Sequence, residues 1–373
     1  MAKNITILAE GLAGDNEGRV LGYNDTNFGY KAPIIGTCER DSIATYIGKD
    51  GLLKTAPPNT LRVDYTNGVA EMLLEPASTN YVEYSNDLTE WNQVTGSYSS
   101  SLNGTDDLGN DSYNVSLGND SIARVLCSIP NGVSSVRIRV KGIQGEVISY
   151  GLNGYVVDHT FSGDWEYMEN LNVSVSSVSE LRLTNFTINA TANNFQVSIA
   201  QVEPLSYPTS YIPTNGSIAT RQADSLTNFG FEQVIDSESG ILFFEGSMFP
   251  SPTTTQISLN EGNANSRMGL RFQEGANIIT AIQRKDGASV VANYSLGSEA
   301  NLKDNVKVAV RYSGSLMEII YSGVAENSNT IIPFTSGSLN NLSFNDGSLN
   351  SNIFYGRIRQ LKHLPFNTDI LSL

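Results

Sequence analysis

Apolar and polar residues alternate over most of this chain, in short runs separated by turn-forming residues. In the run 136–141, Val136, Ile138 and Val140 share one face and three cations occupy the other. A period of two predicts a half-buried β-strand. Because such runs recur between residues 91 and 205, this stretch predicts an antiparallel β-sandwich.

A second series of alternating runs begins after residue 226 and continues to the end of the chain. Its clearest members are residues 240–245, 267–272, 306–310 and 316–321. Residues 226–373 are therefore predicted to form a second sandwich. The proline-punctuated segment 206–225 predicts an extended linker, because a proline disfavours helical geometry at the residue before it.

The first ninety residues are less regular. Residues 1–38 show no sustained period and predict an extended arm with a few short strands. Residues 39–90 predict a β-hairpin and linker segment that packs on a sandwich, with Asp50-Gly51 as the hairpin turn. The predicted fold class is all-β, with two antiparallel β-sandwiches behind an extended N-terminal arm.

Composition and charge narrow the range of functions. Charged residues make up 16% of the chain, below the roughly 25% of an average soluble domain. The net charge of −15 argues against a nucleic-acid partner, since phosphate contacts need clustered Lys and Arg. No apolar stretch approaches the ~18 residues of a membrane span. The apolar run near the N-terminus is too short for a signal peptide.

The sequence offers no recognisable catalytic or metal-binding motif. Its two histidines, His159 and His363, lie far apart and have no neighbouring Cys, His or paired acids. Glycoside hydrolysis needs two carboxylates, and the candidate strand 316–321 carries Glu318 alone. We therefore expect no enzyme activity and no resident cofactor. A calcium ion at acidic turns such as Asp106-Asp107 remains an alternative to plain turn chemistry.

Aromatic side chains are the candidate ligand-binding residues, because sugars stack their apolar faces on such rings. The candidates are Trp91, Tyr98, Tyr155 and Trp165. Tyr98 and Tyr155 are expected to be exposed near loops, whereas Trp165 is expected to pack in the core or at its rim.

Two arginines are candidate structural clamps. Arg62 and Arg221 each lie near an acid in sequence, Asp64 and Asp224 respectively. Bidentate arginine–carboxylate pairs at these places would tie the linker to a domain.

Three groups of motifs resemble a pattern of bacteriophage tail- and head-fibre proteins. They are RDSIATYIGKDGL at 40–52 with LRVDY at 61–65 and MLLEPASTN at 72–80; QVE at 201–203 with PTSYIPT at 208–214 and TRQAD at 220–224; and YGRIRQL at 355–361. The second group resembles the end of a carbohydrate-binding-module-like jelly roll. The third is similar to the last strand of a concanavalin-A-like (laminin-G-like) domain. The resemblance implies jelly-roll sandwiches at 91–205 and 226–373.

The resemblance also implies a location and partners. We expect a structural component of a tailed phage particle, assembled in the host cytoplasm, as a capsid decoration or head fibre or as a tail fibre. Residues 1–38 would attach it to other virion proteins; the alternative is that they add an edge strand to the C-terminal sandwich. Its modules would contact host-surface glycans, and it would form a homo-oligomer, with a trimer favoured over a dimer. The alternatives are a virion-bound glycan depolymerase and a decoration protein without a ligand.

Overall fold

The computed structural model of the chain describes residues 5–9, 12–14, 19–22, 34–152, 155–176, 180–187, 189–227, 229–230, 235–251, 253–296, 301–348 and 351–369. Regular structure in these ranges is almost entirely β-strand, with short 3-10 turns at Leu88–Glu90 and Glu274–Ala276. Within the same ranges there is no helix long and apolar enough to cross a membrane. The predicted all-β fold class is confirmed.

The strands in the first half of the chain are β1 (Ile5–Leu8), β2 (Leu12–Gly14), β3 (Arg19–Gly22), β4 (Ile34–Glu39), β5 (Ala44–Ile47), β6 (Leu53–Ala56), β7 (Arg62–Asp64), β8 (Glu71–Leu74), β9 (Ser78–Asn80), β10 (Asn92–Thr95), β11 (Tyr98–Thr105), β12 (Asp111–Leu117), β13 (Ile122–Leu126), β14 (Gly132–Lys141), β15 (Val147–Leu152), β16 (Tyr155–Thr160), β17 (Glu166–Val175) and β18 (Glu180–Thr184). Those that follow are β19 (Asn194–Glu203), β20 (Ala219–Arg221), β21 (Ser225–Thr227), β22 (Phe229–Gly230), β23 (Ser239–Met248), β24 (Thr255–Asn260), β25 (Arg267–Gln273), β26 (Ile278–Lys285), β27 (Ala288–Ser295), β28 (Val306–Ser313), β29 (Leu316–Tyr321), β30 (Val324–Thr330), β31 (Asn341–Ser343) and β32 (Gly356–Leu364).

The chain divides into two compact units. The jelly-roll unit comprises Ser42–Thr55 and Ala77–Gln222, and the C-terminal unit comprises Met1–Asp41, Ala56–Pro76 and Ala223–Leu373. These bounds differ from the predicted ones because the segment 39–90 is shared. Its β5–β6 hairpin, with Gly51 at a φ of +78°, belongs mostly to the first unit, whereas β7 and β8 join a sheet of the second.

The jelly-roll unit is built from two five-stranded antiparallel sheets, in the orders β10-β13-β18-β15-β16 and β11-β12-β19-β14-β17. Of the eight strands β12–β19, the first, eighth, third and sixth form one sheet. The second, seventh, fourth and fifth form the other, which is the strand order of a jelly roll. β10 and β11 each add one strand at an edge.

Alternation along the strands explains how the jelly-roll core forms. Val136, Ile138 and Val140 of β14 are fully buried in it. The side chains between them point the other way, and the guanidinium carbons of Arg137 and Arg139 lie 4.7 and 4.8 Å from the ring centroid of Tyr167. The predicted faces of this strand are therefore confirmed.

The C-terminal unit contains an eight-stranded sheet, with the path β30-β29-β28-β23-β32-β8-β7 and β1 paired to β32. A six-stranded sheet follows the order β22-β31-β24-β25-β26-β27. Both sheets contribute to one apolar core, in which the rings of Phe244, Phe272 and Phe354 lie 5.2–5.9 Å apart. This packing makes the predicted second sandwich.

Strands from the predicted arm are part of the C-terminal unit. β1 pairs antiparallel with β32, and a small sheet runs β2-β3-β4-β21. The structure thus favours the edge-strand alternative for the described part of residues 1–38. The physical reason is that a bare edge of β32 leaves backbone groups unpaired, and β1 supplies their partners.

Candidate functional site

Two of the predicted ligand-binding aromatics make structural contacts. Trp91 is 3% exposed, and its Nε1 donates a hydrogen bond to the carbonyl of Tyr84 at 3.1 Å. The hydroxyl of Tyr98 donates to the carbonyl of Leu88, and burial raises the pKa of Tyr98 to about 12. Trp91 is packed in the core and offers a sugar little surface, whereas Tyr98 is half-buried against the core and its ligand role stays a prediction.

The other two aromatics lie nearer to solvent. Tyr155, on the edge strand β16, is 37% exposed. Trp165 is half-buried in the turn before β17. Tyr155 thus remains an accessible ring, at one edge of a jelly-roll sheet.

Two of the predicted clamp residues, Arg62 and Asp224, belong to one buried cluster of ion pairs. Arg62 bonds Glu75 through Nη1 at 2.7 Å and Asp224 through Nη2 at 2.5 Å. Arg40 reaches the other oxygen of Asp224 at 2.8 Å. All four side chains are at most 2% exposed. Burial opposes the charge on Arg62, but the carboxylates of Asp224 and Glu75 outweigh it and raise the pKa of Arg62.

Two further clamp residues have partners of their own. Asp64 forms an ion pair with Arg357 of β32, 293 residues away. Arg221 is 1% exposed and its Nη1 donates to the carbonyl of Gln222 at 3.4 Å. The predicted acids were the nearest ones in sequence, and the fold also brings Asp224, 162 residues away, into contact with Arg62.

The motif residues of the jelly-roll unit form a buried hydrogen-bond cluster. Glu203 accepts bonds from the backbone N–H and hydroxyl of Thr209, at 2.7 and 2.5 Å. Gln201 accepts from the N–H of Ile212 at 2.7 Å. Burial raises the pKa of Glu203, and the bonds from Thr209 oppose that shift. These residues hold the segment 209–212 against β19, so their role is structural.

A groove of about 480 Å³ lies on the sheet that contains β11, β12, β19 and β14. Strand register places its polar residues in two rows across the sheet. One row is Ser101, Asn114, Gln196 and Lys141, and the other is Ser99, Ser116 and Asn194. The alternate residues Val115 and Phe195 point into the core, which is why so many polar groups share this face.

The polar side chains of the groove are not engaged with the rest of the protein. None of the seven has a hydrogen-bond partner among the described residues, and five of them are exposed. Hydroxyl, amide and ammonium groups are therefore free to bind a ligand rich in hydroxyls. The lining includes no carboxylate and no imidazole.

One wall of the groove depends on a glycine. Where the chain leaves β14, a Cβ on Gly142 would lie 2.3 Å from the ring of Phe161, so a larger residue requires a shift. The next residue, Ile143, is 64% exposed and provides an apolar contact beside the polar rows.

The groove residues were missed at the level of sequence. Their signal is present as Asn114-Val-Ser116 and Asn194-Phe-Gln196, in which polar residues alternate with core residues. The residues predicted to bind a sugar were aromatic instead. Register across four strands, which brings the two rows together, is not visible in any single segment.

The acidic turns and histidines are held by other contacts. Asp106 accepts the backbone N–H groups of Leu108 and Asn110, and Arg139 pairs with the adjacent Asp107. His159 Nε2 lies 3.4 Å from a carboxylate oxygen of Glu166. Within the described ranges, no three His, Cys, Asp or Glu side chains form a metal-binding group.

Comparisons with known proteins give little further information. No protein-family model matches the chain, and no curated protein matches it in sequence. Among solved structures, the chain is similar to domains LG4-5 of the mouse laminin α1 chain, with 11% identity and a TM-score of 0.27. The alignment covers 65% of this chain and 84% of the laminin fragment. A likeness of this size carries no argument about fold or function.

Proposed function

We propose that this chain is a non-enzymatic attachment protein whose jelly-roll groove binds a neutral saccharide. The observation that carries the proposal is the set of seven unengaged polar side chains on one sheet face. Sugar hydroxyls both donate and accept hydrogen bonds, and the serine and amide groups of the groove do the same.

Size and charge favour the same class of ligand. The volume of about 480 Å³ lies within the usual range for small-ligand sites, roughly 300–1,000 Å³. Lys141 is the one charged residue of the lining, and Ile143 offers an apolar contact for the face of a sugar ring. The groove therefore suits a ligand with many hydroxyls and little charge.

The groove's chemistry supports binding without hydrolysis. A glycosidase places two carboxylates on either side of the scissile bond. The lining supplies neither of them. Glu318, the acid considered from the sequence, is paired with Arg311 at 2.5 Å in the C-terminal unit. A depolymerase would need an acid pair elsewhere.

The role in a particle rests on the resemblance of residues 40–361 to phage fibre proteins. We propose that the chain is a capsid decoration, head fibre or tail fibre that presents the groove to host-surface glycans. Many copies on one particle would turn weak single sites into useful avidity. Mass spectrometry of purified particles tests this location, and absence of the chain from them contradicts it.

A glycan array followed by titration calorimetry tests the groove. The variant Asn114→Ala/Gln196→Ala removes two neighbouring amides of one row and should weaken binding of an array hit by about tenfold or more. The matched control is Asn92→Ala/Gln93→Ala on exposed β10 of the other sheet, which should bind like the native chain. Equal losses of affinity in both variants would contradict the groove as the saccharide site. An array without hits favours the decoration protein without a ligand.

A further inference from the structure

The six-stranded sheet of the C-terminal unit has an unusual second face. Along β25, Met268, Leu270 and Phe272 point into the apolar core. Alternation then places Arg267 and Arg271 on the opposite face. Two cations on the non-core side of one strand are notable in a chain with a net charge of −15.

Strand pairing adds further polar groups to this face. Gln256 of β24 lies opposite Arg271, and Arg284 of β26 lies opposite Arg267. Directly opposed residues on one face have their Cβ atoms about 5 Å apart. Three guanidinium groups and an amide are therefore collected on neighbouring strands. We call this set, Gln256, Arg267, Arg271 and Arg284, the arginine face.

Several buried atoms of the arginine face have no hydrogen-bond partner among the described residues. They are the Nε atoms of all three arginines and both polar side-chain atoms of Gln256. Gln256 is 0% exposed and Arg267 is 6% exposed. Buried polar atoms of native proteins nearly always have a partner, so unpaired ones in two neighbouring pairs on one sheet face call for a ligand or ordered water.

Acidic partners are scarce on this face. Arg267 Nη1 donates to the carbonyl of Ala264 at 2.6 Å, and the carboxylate of Asp346 is 3.9 Å away. That carboxylate already accepts bonds from Ser351 and Asn352. For Arg271 and Arg284, the described part of the chain provides no ion pair.

The electrostatics of the arginine face favour the arrival of an anion. Burial lowers the pKa of Arg267; Asp346 opposes that shift, and Arg284 and Arg271 add to it. Burial also lowers the pKa of Arg271. Arg271 and Arg284 are half-buried and have no ion pair among the described residues, so a bound anion would offset part of the hydration that they lose.

We propose that the arginine face binds a small oxyanion group, a sulfate, phosphate or carboxylate, carried on an acidic saccharide or present as the free ion. Guanidinium N–H groups suit the oxygens of such anions, which accept bidentate bonds. The amide of Gln256 supplies another donor. This site lies in the C-terminal unit and is independent of the groove in the jelly-roll unit.

Titration calorimetry with sodium sulfate and sodium phosphate, against sodium chloride at equal ionic strength, tests the proposal. The native chain should bind at least one oxyanion saturably, and Arg271→Gln or Arg284→Gln should weaken that binding by about tenfold or more. Lys307→Gln removes the same charge at an exposed position of the other sheet and should leave binding unchanged. Circular dichroism melting checks that each variant folds.

Three outcomes overturn the proposal: no saturable binding of either ion, equal loss in Lys307→Gln, or full binding by both arginine variants. To distinguish the sources, sulfated, phosphorylated and uronate oligosaccharides are compared with their neutral counterparts. Tighter binding of an acidic oligosaccharide than of its free ion assigns the group to a saccharide. The variant Asn114→Ala/Gln196→Ala should not affect this binding, so the two sites fail or succeed separately.

Discussion

At the scale of single residues, the C-terminal unit depends on a buried cluster of charges. Arg40 and Arg62 share the carboxylate of Asp224, and Arg62 also bonds Glu75. The N–H of Glu75 donates to Asp224 at 2.8 Å. Such a cluster gains little over an apolar core, but removing one member leaves an uncompensated charge in the interior.

The variant Asp224→Asn should lower the free energy of unfolding by about 3 kcal/mol or more, because two buried arginines lose their shared counter-charge. Urea denaturation followed by fluorescence measures the change. As a control, Glu318→Gln breaks the partly exposed pair with Arg311 and should cost less than about 1 kcal/mol. Similar costs in the two variants would show that the cluster contributes no more than a surface pair.

His363 is a second buried group with a measurable consequence. It was expected to be half-buried, but it is 5% exposed. Its Nε2 lies 3.0 Å from the hydroxyl oxygen of Tyr312. That hydroxyl donates to the carbonyl of Asp236, so Nε2 is the donor in its contact with Tyr312. Burial lowers the pKa of His363 to about 4, although Asp236 opposes the shift.

The stability of the C-terminal unit should therefore fall as the pH drops from 6.5 to about 4. In this window the unfolded chain binds a proton at His363 that the folded chain does not, so acid favours unfolding. The full contribution is on the order of 3 kcal/mol and is present above pH 6.5. Denaturation at a series of pH values measures the free energy of unfolding, and this free energy should change less with pH in His363→Gln than in the native chain. If the free energy of unfolding depends on pH to the same extent in both proteins, His363 is not the titrating group.

At the scale of elements, the described N-terminal strands belong to the C-terminal unit. Ile5–Leu8 pair with residues 360–363 of β32, and Thr37–Glu39 pair with β21. Cys38 is 1% exposed in the core, where burial raises the pKa of its thiol to about 12. The described N-terminal strands are therefore part of the sheets and core of the C-terminal unit.

A chain that starts at Glu39 should melt at a lower temperature and be less soluble, because it exposes one edge of β32 and removes Cys38 from the core. Calorimetric melting measures this. A chain that starts at Ile5 retains β1 and β4 and serves as the control. If the shorter chain melts normally but is missing from purified particles, residues 1–38 act as an anchor instead.

At the scale of the whole molecule, exposed sheet edges favour self-association. β30, at an edge of the eight-stranded sheet, is exposed at all seven residues. Tyr155 and Val157 are exposed on the edge strand β16. Proteins cover such edges by symmetric association among other means.

We expect a homotrimer, by analogy with the fibre proteins that the sequence resembles. Multi-angle light scattering should give about 121 kDa, three times the 40.4 kDa of one chain. The mass of a dimer would support self-association but contradict the expected number of three chains. A monomer mass would remove this expectation altogether.

The sequence by itself determined the all-β fold class. Alternation in runs such as 136–141 fixes which side chains face the core, because successive residues of a strand point to opposite sides. It also indicated the Asp50-Gly51 hairpin and the importance of Arg62 and Asp224. The alternation and the hairpin turn are local features of the sequence. Arg62 and Asp224 are charged residues that need a partner when they are buried.

Only the tertiary structure decided which distant residues meet. Register across β11, β12, β19 and β14 brought Ser101, Asn114, Gln196 and Lys141 into one row. Strand order placed β8 beside β32 and β7 beside β8. The fold also brought Asp224 to Arg62, 162 residues away. Trp91 is an aromatic residue of the kind that stacks on sugars, but it is buried in the core of the jelly-roll unit. Pairing between strands distant in sequence depends on the whole set of core contacts, so no single segment specifies the groove or the arginine face.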